Sequence, residues 1–85
     1  EEKEKYIADF YFRTKDFQSA SYRYAKILST SKITEFRQVA AINLVKSFIA
    51  LRKKEDCIGA LGSFGDLIEK NQKDSLYEEC NSQGE

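Results

Sequence analysis

The 85-residue chain contains no histidine, tryptophan, methionine or proline, and only two cysteines and four glycines. Each shortage excludes something. Without histidine there is no side chain that titrates near neutral pH unperturbed, and the commonest general base and metal ligand is missing. No serine or lysine has a visible base partner, and no glycine-rich turn between a strand and a helix cradles phosphate. The expected reading is therefore not an enzyme. Cys57 and Cys80 lack the CxxC or Cys/His spacing of a metal site, so neither metal nor cofactor is expected. Lysine plus arginine number 14 and aspartate plus glutamate 14, which excludes the strongly basic footprint of a nucleic-acid binder. The residues read as neither a signal peptide nor a membrane span, and without an initiator methionine a processed or trimmed chain is expected. The lack of proline leaves helices free to run uninterrupted.

What is present is helical periodicity throughout. The most apolar stretch is Val39–Leu51, VAAINLVKSFIAL, in which Asn43, Lys46 and Ser47 are the only polar residues. A helix apolar on nearly all sides is covered on two flanks or offers a surface to a partner. It reads as the central helix of a five-helix, all-α protein. The first helix follows a charged lead-in and carries Ile7, Ala8 and Tyr11 on one side. Asp16 caps a second helix, whose buried face is Phe17, Ala20, Tyr24, Ile27 and Leu28. The third starts near Thr34 and ends at the cations Arg52, Lys53 and Lys54. Asp56 is the expected cap of the fourth, which uses Cys57, Ala60, Leu61, Phe64, Leu67 and Ile68. Its glycines, Gly59, Gly62 and Gly65, are expected where helices approach closely. Ser75-x-x-Glu78 reads as a capping box opening a short fifth helix, with residues 81–85 fraying.

The chain also repeats itself. Phe17-x2-Ala20-x3-Tyr24-x2-Ile27-Leu28 recurs as Cys57-x2-Ala60-x3-Phe64-x2-Leu67-Ile68, an offset of 40 residues, and Ile7-Ala8-x2-Tyr11 recurs as Leu44-Val45-x2-Phe48, an offset of 37. This hairpin grammar resembles the tetratricopeptide repeat. The resemblance implies helix hairpins at about 4–30 and 34–70 and the start of a third repeat at about 75–82, a single domain of two and a half repeats in a short right-handed α-solenoid. The longer period, the segment IADFYFRTKDFQSASYRYAKIL, and the helix starts Thr34–Ala40 and Asp74–Cys80 are similar to the BamD family, lipoproteins of the outer-membrane β-barrel assembly machinery. The family's inter-repeat proline is missing here, and Val45 replaces its usual small residue. The two cysteines align with Phe17 and Val39, read as core positions, so buried free thiols are expected. A disulfide between the fourth and fifth helices is the alternative in an oxidising compartment.

In this repeat class the first helix of each hairpin lines a concave surface. By 100° steps that surface takes Lys5, Asp9, Phe12 and Arg13 from the first helix and Val39, Ile42, Lys46 and Ile49 from the third. It is the expected partner-binding site, with packing as the rival role for Val39 and Ile49 and simple solvation for Asp9, Arg13 and Lys46. A loose basic side, Arg13, Lys15, Arg23, Lys26 and Lys32, reads as a solvated face. The resemblance implies a non-enzymatic scaffold on the periplasmic face of the outer membrane. It would be held there by a lipidated cysteine upstream of Glu1 and would contact the barrel-assembly subunit or other lipoproteins of the complex. The alternative is a cytoplasmic repeat adaptor or co-chaperone binding a peptide segment. Self-association through the ends of the stack is a further expectation.

Overall fold

A computed structural model describes residues 2–82. Among them are five α-helices, α1 (Glu2–Arg13), α2 (Phe17–Thr30), α3 (Thr34–Leu51), α4 (Lys54–Phe64) and α5 (Lys70–Asn81), with a 3-10 turn at Gly65–Leu67 and no strand. The all-α expectation is met. Each helix packs on the next in the chain, most extensively α2 on α3, and thinner contacts join α1 to α3 and α3 to α5. This sequential packing gives an elongated body of 37 × 25 × 17 Å.

The central helix is α3, which buries Ala40, Ala41, Leu44, Val45 and Ser47. Ser47 is fully enclosed, and its hydroxyl donates to the Asn43 carbonyl one turn back, at 2.8 Å, so this buried hydroxyl has a partner. Paired positions share their burial in part: Phe17, Phe64, Leu67 and Ile7 are half-buried where their counterparts Cys57, Tyr24, Ile27 and Leu44 are buried. Ala20 and Ala60, Leu28 and Ile68, and Ala8 and Val45 are all buried. Small residues at these points let the helix axes approach, and the longer aliphatics fill the space beyond them.

Turn chemistry is explicit at the first connection. The Asp16 carboxylate accepts from the Ser19 N–H at 3.2 Å and from its hydroxyl at 2.9 Å, so Asp16 caps α2 as expected. Arg37 on α3 donates to the Leu28 carbonyl, satisfying a group that the end of α2 leaves open. Arg52 closes α3 in the left-handed region, φ 59 and ψ 40, its N–H returning to Phe48 and Ile49 carbonyls.

Elsewhere the local signals mislead. Asp56 does not cap α4. The left-handed Arg52 turns the chain so tightly that the helix resumes at Lys54 with Lys53 in the cap position, and Glu55 and Asp56 lie in the first turn, where the helix dipole favours them. Leu67 and Ile68 do not continue α4, which ends at Phe64 and passes into the 3-10 turn. Ser75 does not open α5. The Glu69 carboxylate accepts from the Gln72 N–H at 3.2 Å and starts the helix earlier, leaving Ser75 exposed in its middle. The fraying expected from residue 81 onward lies largely outside the described residues.

The glycines also differ from expectation. A side-chain carbon at Gly59 or Gly62 would meet nothing within 4 Å, and only Gly65 lies against another element, the Lys73 side chain of α5. The cysteines are not free thiols. Cys57 and Cys80 form a fully buried disulfide joining α4 to α5, with Cα atoms 5.8 Å apart. Burial also moves the alignment of Cys80 by one residue. Its match on α3 is Ala40, which is 1% exposed, and not Val39, which is 38% exposed.

Candidate functional site

The expected concave set divides into residues that the fold uses internally and residues it leaves outside. Phe12 lies edge-on to both Phe17 and Tyr24, with ring centroids 5.6 and 5.9 Å away. Ile42 and Ile49 are half-buried against the core. Val39, Lys46 and Arg13 are exposed, and the Arg13 guanidinium sits 5.8 Å from the centre of the Phe10 ring. The surface that remains open is therefore polar at Lys5, Arg13 and Lys46 and apolar at Val39.

Lys5 and Asp9 come together in a way the sequence did not indicate. They form an ion pair at 2.8 Å, one turn apart on α1. The second carboxylate oxygen of Asp9 accepts from the Tyr24 hydroxyl of α2 at 2.5 Å. That hydroxyl in turn accepts from the Asn43 amide of α3 at 3.1 Å. One polar chain, Lys5–Asp9–Tyr24–Asn43, thus ties three helices. Tyr24 is fully enclosed. Burial first, and then the hydrogen bond to Asp9, hold its hydroxyl well above its ordinary pKa of 10.0; the Asn43 hydrogen bond opposes them, and the negative charge of Asp9 adds least. The hydroxyl is therefore a structural donor at neutral pH and holds Asp9 in place. The sequence signal for this tie is small: a tyrosine at position 24, where the second repeat has Phe64.

Above this chain lies an open cleft of about 390 Å³ between the start of α1 and the start of α3, lined by Glu2, Lys5, Tyr6, Asp9 and Phe36. Lys5 lies 5.9 Å from the centre of the Phe36 ring. The cleft is lined by two aromatic rings and by charges of both signs, a combination suited to a polypeptide segment with mixed polarity. Among the described residues, no cluster of acidic or cysteine side chains could hold a metal ion, and no helix is long and apolar enough to cross a membrane. No protein-family model, curated protein or solved structure matches the chain.

Proposed function

We propose that the chain is a non-enzymatic protein–protein interaction scaffold of tetratricopeptide type. More specifically, we read it as a subunit resembling the BamD family, acting in outer-membrane β-barrel protein assembly on the periplasmic side. The observation that carries the scaffold reading is the recurrence of one helical pattern at offsets of 40 and 37, with Ala20 and Ala60, Leu28 and Ile68, and Ala8 and Val45 buried as pairs, which supports a stack of like hairpins. The exposed first-helix surface, with Lys5 and the Phe36 cleft at one end and Val39 and Lys46 along α3, is where a partner segment would lie. Because the polar chain through Tyr24 fixes α1, α2 and α3 against each other, that surface is preformed, and binding would lose little conformational entropy. The buried disulfide favours an oxidising compartment over the cytoplasm.

The test is direct binding to the purified periplasmic domains of the barrel subunit. The variant Val39→Asp/Lys46→Glu changes two exposed α3 positions and leaves the core intact. It is expected to weaken binding about tenfold or more, roughly 1.4 kcal/mol, with unchanged helical circular dichroism. Absence of binding by the wild-type chain, or equal binding by the double variant, overturns the proposal.

A further inference from the structure

The outward face of α1 carries two of the large exposed apolar side chains among the described residues. Tyr6 is 69% exposed and Phe10 45%, and with Ile7 they form a row at helical spacing. A cleft of about 370 Å³ runs beside this row, lined by Tyr6, Ile7, Phe10, Tyr11 and Arg23. Single exposed aromatics are ordinary, but a contiguous aromatic row beside a cleft marks an interaction surface.

The internal repeat says what shape covers such a row. At the offset of 37, Tyr6, Ile7 and Phe10 correspond to Asn43, Leu44 and Ser47 on α3. That side of α3 is the side α2 covers, because the Asn43 amide donates to the Tyr24 hydroxyl of α2. There Leu44 is 3% exposed and Ser47 fully buried. The same row on α1 has no helix over it among the described residues. It is also larger and more aromatic than its α3 counterpart, and so suits a helix seated at greater distance or with smaller side chains.

We propose that the Tyr6–Phe10 face of α1 docks an amphipathic helix of a partner protein, laid across α1 as α2 lies across α3. The docked helix presents a small-plus-aliphatic stripe to the aromatic row and carries acidic residues on its flank. The charge follows from the rim. Arg23 lines the cleft, and Arg13 stands over Phe10. Of the acidic side chains near Tyr6, Glu2 and Asp9 line the other cleft, Asp9 is paired with Lys5, and Glu4 is paired with Lys26 at 3.4 Å. A second copy of this chain fits less well. Its outermost helix at the other end, α5, turns Leu76 and Cys80 inward and leaves Tyr77 as its one large exposed apolar side chain. The proposal rests on the repeat reading of the fold and not on the barrel-assembly assignment.

The probe is a fluorescently labelled synthetic helix with the α2 spacing but a small-plus-aliphatic stripe, Ala-x3-Leu-x2-Ile-Leu, and glutamates at the positions of Arg23 and Lys26, titrated against the intact protein by anisotropy. Binding is expected to weaken at least tenfold in Tyr6→Ala/Phe10→Ala and severalfold in Arg13→Glu. It should not change in Tyr77→Ala or in Val39→Asp/Lys46→Glu, which separates this face from the surface proposed above. All these side chains are exposed, and circular dichroism checks that each variant folds. No binding by the wild-type protein, or equal binding by the Tyr6/Phe10 variant, overturns the proposal. So does a wild-type dimer in sedimentation that the Tyr6/Phe10 variant dissolves, since the occupant would then be a second copy.

Discussion

At the scale of single residues, the position that most exceeds its sequence reading is Tyr24. Periodicity marks it as core, and it is core, but its hydroxyl also connects Asp9 to Asn43. Asp9 reads as a solvated charge because nothing in a local pattern shows that a group on the next helix will reach it. Replacing Tyr24 with phenylalanine keeps the ring and its edge-on contact with Phe12, and leaves Asp9 and Asn43 short of a partner. The expected cost in urea denaturation is about 1–2 kcal/mol. The raised pKa also has a sign. The folded protein holds the Tyr24 proton more tightly than the unfolded chain, so this contribution to stability is complete below the ordinary value of 10.0 and is lost as pH rises above it. Denaturation of wild type and Tyr24→Phe on both sides of pH 10 should show the wild type losing more stability than the variant across that interval.

At the scale of helices, existence was legible and boundaries were not. Five helices were readable because apolar residues recur at helical spacing in every segment. Capping candidates are more numerous than caps, however. Asp16 is used, while Asp56 and Ser75 are passed over in favour of starts at Lys54 and Lys70. Which candidate wins depends on where the preceding turn delivers the chain, as the left-handed Arg52 shows. The glycines of α4 make the same point about packing. Gly59 and Gly62 have open space where a side chain would go, so they carry the entropic cost of glycine in a helix with no close contact in return. Gly59→Ala and Gly62→Ala are each expected to raise stability by about 1 kcal/mol, read as a higher urea midpoint at constant slope.

At the scale of the whole molecule, the all-helical architecture was legible because helical periodicity runs through every segment. Which residues of the expected surface are free was not, since half-burial of Phe12, Ile42 and Ile49 depends on how closely neighbouring helices settle. The disulfide was legible only as the alternative to free thiols, for a similar reason. Only the return of α5 across α4 brings two cysteines, 23 residues apart in sequence, to a Cα separation of 5.8 Å. α5 has two buried residues, Leu76 and Cys80, and a helix of its length is marginal when undocked. Cys80→Ala is therefore expected to lower global stability by about 3 kcal/mol, the closure entropy of a loop this size. Hydrogen exchange should show the α5 amides losing protection before those of α3.

The same bond gives the molecule an unequal response to mechanical load. Tension applied at the C-terminal end of α5 passes at Cys80 directly to the first turn of α4 at Cys57. The 23-residue interval between them is bypassed, including the rest of α4 and the 3-10 turn. At roughly 3.4 Å per extended residue, about 80 Å of contour length stays hidden from a pulling force until the bond is reduced. The α1 end has no such shunt and yields its full length.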